Sequence, residues 1–181
     1  MTDHLRWWKN WYLKLTPEGV RMYGNTDKTY RLGYEWLKDC SLIQDWGCGF
    51  TYFKTMCRPE QYYGIDGALN PLADKQADLL TYRSVTPGLF MRHVLEHNPD
   101  WQRVLDNALA SFTQRMALVL YSPLSADRTY NTMIDGKDGA PCFSFARQDL
   151  IERFGAIKYR LDEKIPGTVP FHFEHIFYLE K

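Results

Sequence analysis

The chain has 181 residues, 15% of them aromatic, and its 22 Lys and Arg balance 22 Asp and Glu. A chain this long buries a full core as one domain, and its balanced charge supplies no broad field for drawing it to nucleic acid or anionic lipid. Cys40, Cys48, Cys57 and Cys142 form no C-x-x-C pair, the first residues lack a signal peptide's apolar core, and no run approaches the ~18 apolar residues of a membrane span. A soluble cytoplasmic protein with reduced thiols is therefore expected, without a zinc ribbon or a disulfide framework.

Trp7, Trp8, Trp11, Tyr12 and Leu15 share one helical face, so residues 1–40 are expected to form a helical segment packed on a single domain of residues 1–181. Thr16-Pro17-Glu18 marks a new start or a turn, and Gly24 to Asp27 reads as a loop. A second helix is expected over Thr29 to Lys38. Leu42 and Ile43 then open a strand, with Asp45 at its end, that feeds a tight turn containing Gly47 and Gly49. Glycine suits such a turn because the backbone angles exclude a side chain and because a ligand can lie against bare main chain. A short helix over Tyr52 to Cys57 stops before Pro59, and a second strand, Gln61 to Ile65, ends at Asp66. An acidic residue about twenty positions beyond the turn is placed to accept both hydroxyls of a ribose.

Asn70-Pro71 marks a turn, and Lys75 to Leu80 is expected as a short third strand. Leu89 to Met91 gives the fourth, ending at Arg92 and His93. Asp100 caps a helix running to about Phe112, with Val104, Leu105, Ala108, Leu109 and Phe112 on its buried face. Met116 to Tyr121 is an apolar fifth strand. Ser122 to Pro141 is polar and aperiodic, a long loop expected to form a mobile wall of an acceptor pocket, with Arg128 and Tyr130 as its recognition groups. Arg147 to Phe154 resumes as a helix ending at Gly155. Ala156 to Leu161 and His172 to Leu179 close the chain as two strands, turning at Ile165-Pro166-Gly167.

Strands alternating with helices imply a parallel sheet with right-handed crossovers, and a closing hairpin makes one edge strand antiparallel. Ligands of such sheets bind beyond the carboxyl ends of the strands, where Asp45, Asp66, Asp78 and His93 all fall. The glycine series does not complete G-x-G-x-x-G, because Tyr52 holds the third place. The runs D-W-G-C-G-F, Y-G-I-D-G-A, A-D-L-L and R-H-V-L-E-H-N-P-D-W follow one another between Leu42 and about Leu120. In that order and spacing they resemble the class I S-adenosylmethionine-dependent methyltransferases.

The resemblance implies an α/β fold, a Rossmann-like three-layer sandwich around a mostly parallel seven-stranded sheet with an antiparallel C-terminal strand. It also implies transfer of the methyl group of S-adenosylmethionine to a small or medium acceptor, leaving S-adenosylhomocysteine, with no metal required; the balanced charge and the lack of a visible recognition domain are the grounds for expecting no nucleic-acid partner. Asp45, Gly47, Cys48, Gly49 and Phe50 would cradle the cofactor, Asp66 would take its ribose, and Asp78 with Leu79 would meet adenine. Asp78 also reads as an ordinary turn aspartate. His93 would either accept the acceptor's proton or shape the pocket. Arg92 and Tyr121 would orient an acidic or hydroxylated acceptor. A non-catalytic cofactor-binding module or partner subunit would carry the same cofactor residues.

His93-Val94-Leu95-Glu96-His97 is also a literal H-x-x-E-H, the pattern of a zinc hydrolase. That chemistry needs one continuous helix across both histidines, and here a strand runs into the motif while Pro99 follows closely. Near the C-terminus, His172, Glu174 and Ile176 share one strand face while Phe173, His175 and Phe177 share the other. One histidine is therefore expected inward, as a hydrogen-bonded core residue.

Overall fold

The computed structural model describes residues 9, 27–132, 141–166 and 173–181. The tryptophan stripe from Trp7 to Leu15, the turns at Thr16 and Gly24, and His172 lie outside them. The strands are β1 (Ile43–Trp46), β2 (Tyr62–Asp66), β3 (Lys75–Gln76), β4 (Thr86–Arg92), β5 (Phe112–Leu120), β6 (Tyr130–Asn131), β7 (Phe143–Ser144), β8 (Lys158–Pro166) and β9 (Phe173–Glu180). The helices are α1 (Asp27–Leu37), α2 (Trp101–Ser111) and α3 (Arg147–Phe154).

Seven strands form one sheet in the order β3-β2-β1-β4-β5-β9-β8. The pairs β2–β3, β1–β2, β1–β4 and β4–β5 are parallel. β9 runs antiparallel to both its neighbours, β5 and β8. The antiparallel strand is thus internal, which corrects the expectation that it would form an edge. Its composition explains the placement. Ile176 and Tyr178 are buried on one side of the sheet, Phe177 and Leu179 on the other, so β9 needs cover on both faces. β8 carries Lys158, Arg160, Asp162, Glu163 and Lys164 and tolerates the edge, where charge also discourages pairing with another chain.

The two faces are covered by different helices. On one, α1 begins two residues earlier than expected, because Asp27 lies in its first turn and accepts a hydrogen bond from Arg31 Nε at 2.6 Å. Thr29, Gly33 and Leu37 recur at helical spacing and face the sheet. Gly33 is required there, since a Cβ would stand 2.4 Å from the Phe90 ring. Trp36 Nε1 donates to the Met116 carbonyl at 3.2 Å, fixing the helix over β5. On the other face, α2 buries Val104, Leu105, Ala108 and Leu109, and α3 buries Leu150 and Phe154, against Leu89, Met91, Leu118 and Phe177. The result is the expected three-layer sandwich.

Three segments depart from the sequence reading, the first being β8, which runs on through Ile165 and Pro166, expected as a turn, because they pair with Glu174 and Phe173 of β9. β3 covers only Lys75 and Gln76, because the chain turns at Asp78: its Oδ1 accepts from Leu80 N at 3.0 Å and its carbonyl from Thr81 N and Tyr82 N. Part of the stretch expected as a loop, Ser122 to Pro141, is ordered. β6 pairs antiparallel with β7, and Ser125 bridges to Ala146. Periods of two cannot be recognised in strands only two residues long.

Candidate functional site

The glycine turn stands at the carboxyl end of β1, beside the strand β4 at which the connections reverse direction across the sheet. β1 continues one residue past Asp45 to Trp46, so Asp45 lies within the strand's end and is only 3% exposed. Gly47 and Gly49 both have positive φ, at 73° and 50°. At Gly47 the close approach comes from the protein itself, since a Cβ would stand 2.3 Å from Val94 Cγ2. Gly47 N and Cys48 N both donate to the Ile65 carbonyl, at 2.7 and 3.1 Å, which locks the turn to the end of β2.

Asp66 completes this unit. Its Oδ2 accepts from Gly49 N at 3.1 Å and from Asn70 Nδ2 at 3.2 Å, and its Oδ1 accepts from Ala68 N at 2.9 Å. The amide of Asn70 also donates to the Gly49 carbonyl at 2.6 Å. The carboxylate is therefore held in a fixed orientation across the turn, and as an acceptor-only group it suits a vicinal diol. Beneath the turn, Tyr62 OH donates to Asp45 Oδ2 at 3.1 Å. Burial pushes the Asp45 carboxyl up to about 7, and burial likewise raises the Cys48 thiol, which is unionised.

At the end of β4 the structure assembles a buried polar network. Arg92 Nη2 lies 2.7 Å from Glu174 Oε1, with side-chain exposures of 4% and 1%. Arg92 Nε donates to Thr29 Oγ1 at 3.2 Å, and that hydroxyl donates to Glu174 Oε2 at 2.9 Å. The guanidinium also lies 4.4 Å from the Tyr30 ring centre. His93 Nε2 reaches Glu174 Oε1 at 2.6 Å, and because a carboxylate only accepts, Nε2 carries the proton. Burial first, then the adjacent Arg92 charge, lowers the His93 imidazole to about 3, so it is neutral. Burial would raise Glu174, but His93, Arg92 and Thr29 outweigh it and hold the carboxyl below its ordinary range.

His93 has φ of 56°. That left-handed residue ends the strand and prevents a helix from running on to His97, where only a three-residue 3-10 turn, Leu95–His97, forms. The two histidines of H-x-x-E-H consequently look in different directions, His93 to Glu174 and His97 to Pro141 and Tyr121. Glu96, fully buried, accepts from Tyr121 N at 2.8 Å through Oε1, and burial pushes its carboxyl up to about 8. This is not the geometry of a zinc hydrolase.

Tyr121, the first residue past β5, stands edge-on to His93 with ring centres 4.8 Å apart. Its hydroxyl lies 3.3 Å from His97 Nε2 and 2.9 Å from Cys142 Sγ. Asp45, Gly47, Cys48, Gly49 and Asp66 are thus gathered at one turn, and Arg92, His93 and Tyr121 at the neighbouring strand ends. Phe50 follows the turn directly. Asp78 is exposed and Leu79 buried just past β3, whose following residue Ala77 donates to the Asp66 carbonyl at 2.9 Å. Arg128 and Tyr130 are exposed on the β6–β7 flap.

His175 departs from its expected role. It is 2% exposed, yet neither ring nitrogen has a hydrogen-bond partner among the described residues, and the Glu163 carboxylate is 3.9 Å from Nδ1. Burial lowers its pKa against the opposing pull of the Glu163 carboxylate. Glu174, Asn70, Tyr62 and Cys142 were not assigned roles in the methyltransferase site by the sequence, and His97 entered only through the H-x-x-E-H run. An acidic residue inside the apolar run Phe171 to Phe177 was the available signal for Glu174, since a buried carboxylate requires a partner.

No protein-family model matches the chain, and no curated protein sequence matches it. Solved structures do match it in fold. Burkholderia thailandensis 1,6-didemethyltoxoflavin-N1-methyltransferase, with 1,6-didemethyltoxoflavin and S-adenosylhomocysteine bound, superposes with a TM-score of 0.72 at 12% identity, covering 99% of this chain and 89% of that one. Magnesium protoporphyrin IX methyltransferase from Synechocystis PCC 6803, with S-adenosylmethionine bound, gives 0.63 at 13% identity, over 99% of this chain and 92% of that one. An Archaeoglobus fulgidus S-adenosylmethionine-dependent methyltransferase gives 0.60 at 15% identity, over 86% and 92%. At these identities the likeness establishes the fold: the chain has the Rossmann-like fold of the class I methyltransferases.

Proposed function

We propose that this protein transfers the methyl group of S-adenosylmethionine to a small-molecule acceptor. The observation that carries this reading is the joint between Gly49 N and Asp66 Oδ2 at 3.1 Å, which sets a bare glycine turn and an oriented carboxylate side by side at the reversal point of the sheet. In this reading Asp66 accepts the ribose hydroxyls, Asn70 steadies Asp66, and Gly47, Cys48, Gly49 and Phe50 support the methionine part. Asp45 stiffens the turn from below through Tyr62. Asp78 and Leu79, where the chain turns after β3, meet adenine. The cofactor supplies a methyl already activated on a sulfonium, so the protein's task is to align an acceptor with it, and orientation of that kind can supply roughly 7–11 kcal/mol of the barrier.

The acceptor seat lies at the ends of β4 and β5, with His93 and Tyr121 as walls and Arg128 and Tyr130 on the flap beside it. Arg92 enters as the partner that neutralises Glu174, which makes it a positioning residue. Two fold neighbours are methyltransferases named for 1,6-didemethyltoxoflavin and magnesium protoporphyrin IX, which supports a small-molecule acceptor over a nucleic acid. No helix among the described residues is long and apolar enough to cross a membrane, and Cys40, Cys48, Cys57 and Cys142 are free thiols, in keeping with a cytoplasmic setting. Incubating the protein with methyl-labelled S-adenosylmethionine and fractionated small-molecule pools tests the activity. Label transferred to a discrete product is expected; label remaining wholly on the cofactor across all pools contradicts it.

A further inference from the structure

His97 Nδ1 lies 2.9 Å from the Pro141 carbonyl. A carbonyl only accepts, so Nδ1 carries a proton and, in the neutral ring, Nε2 carries the lone pair. Tyr121 OH, 3.3 Å away, therefore donates to Nε2. With that hydrogen committed, the contact of 2.9 Å between Tyr121 Oη and Cys142 Sγ is a thiol donating to the phenol oxygen. The three groups form a directed chain from Cys142 through Tyr121 to His97, and its tautomer is set by the backbone.

The chain also stands in the right place. Tyr121 follows β5 and His93 follows β4, with their rings 4.8 Å apart, and Val94 packs on Gly47 of the glycine turn. His93 is committed otherwise: its Nε2–H donates to Glu174, and that carboxylate is already paired with the Arg92 cation.

We propose that Tyr121 and His97 are the proton acceptor for methyl transfer, and that the acceptor is a protic oxygen or nitrogen, such as a phenol or a ring N–H, rather than a carboxylate. This inference rests on the methyltransferase reading. The acceptor's lone pair forms the new bond to the methyl carbon as the carbon–sulfur bond breaks, and the bonding pair stays on sulfur, which becomes a neutral thioether. The acceptor's proton passes to the Tyr121 oxygen as the Tyr121 proton passes to His97 Nε2, and the imidazolium releases it to water. A carboxylate attacks already ionised and leaves such a relay nothing to do. Cys142 fixes the phenol's rotation from the flap, where its N–H also donates to Asn131 Oδ1 at 3.2 Å.

The test uses the full chain, Tyr121→Phe and His97→Gln, with methyl-labelled S-adenosylmethionine and a probe panel of para-cresol, para-nitrophenol, benzimidazole and benzoate. Cresol or benzimidazole methylation is expected to fall about 100- to 10,000-fold in both variants, with calorimetric affinity for S-adenosylhomocysteine retained. para-Nitrophenol, assayed where it is already ionised, is expected to lose much less, which a merely structural defect would not reproduce. Equal losses on both phenols, or methylation of benzoate alone, overturns the proposal. Should no probe be methylated, NMR of isotope-labelled histidine decides: His97 is expected as the Nδ1–H tautomer, with an Nε2 resonance that moves in Tyr121→Phe. An Nε2–H tautomer, or a resonance indifferent to Tyr121, overturns it. Failure of S-adenosylhomocysteine to bind the wild-type chain would instead retire the methyltransferase reading, which the NMR result does not depend on.

Discussion

His93 and Glu174, 81 positions apart in the chain, meet at 2.6 Å between Nε2 and Oε1. The contact joins the end of β4 to the start of β9 across the intervening strand β5, at the carboxyl end of the parallel strands where the glycine turn also stands. Arg92 makes the contact affordable, because its guanidinium at 2.7 Å supplies the charge that a buried carboxylate requires.

Removing one partner of this pair should therefore cost more than removing both. Glu174→Leu leaves Arg92 as a buried cation and deprives Thr29 and His93 of their acceptor, and should lose about 3–5 kcal/mol in urea unfolding. Adding Arg92→Met should recover much of that loss. A double variant whose loss equals the sum of the two single losses would show that the pair is not coupled.

Glu96 predicts a pH dependence of stability. Burial raises its folded pKa to about 8 from an ordinary value of 4.5, so the unfolded chain ionises first as pH rises. Its stabilising contribution is fully present below the unfolded pKa and is lost as pH rises through the folded one. Asp45, raised to about 7, acts with the same sign. His93, lowered to about 3, acts oppositely, losing its contribution as pH falls below the ordinary imidazole value of 6.5. Glu96→Gln should flatten the decline in melting temperature on the alkaline side of that window. A decline as steep as in the wild type would mean that Glu96 ionises normally in the folded protein.

Thr129 pins the flap. Its Oγ1 donates to Asp149 Oδ2 at 2.6 Å and accepts from Ala146 N at 2.9 Å. Thr129→Val removes both bonds at nearly constant volume, for a net loss of about 1 kcal/mol each. Hydrogen exchange across residues 125–132 should accelerate by roughly 5- to 30-fold. Unchanged exchange would place the flap's restraint in the β6–β7 pairing and the Ser125–Ala146 bridge.

The central sheet was legible because its strands announce themselves locally: Leu89 to Met91 and Met116 to Tyr121 are short apolar runs, and Gly47 and Gly49 mark the turn by their backbone demands. The place of β9 was not, because a hairpin read along the chain says nothing about which strand takes the inner position; that depends on comparing apolar Ile176 to Leu179 with charged Lys158 to Lys164. The position of Asp66 against the glycine turn was legible from its distance to that turn along the chain. Glu174 and His97 were missed as partners for a common reason. Their roles come from contacts with Arg92, His93 and Tyr121 that are made across strands, and the H-x-x-E-H spelling drew attention to the wrong neighbours.

Calorimetric titration of the wild-type chain and of Asp66→Ala with S-adenosylhomocysteine, alongside NAD and NADP, tests the cofactor reading most directly. The wild type should bind S-adenosylhomocysteine at one site and neither nicotinamide cofactor comparably. Asp66→Ala should weaken that binding about tenfold to a hundredfold, the loss of charge-assisted hydrogen bonds worth roughly 1.5–3 kcal/mol. A wild-type chain that binds NAD or NADP tightly and S-adenosylhomocysteine not at all would contradict the account.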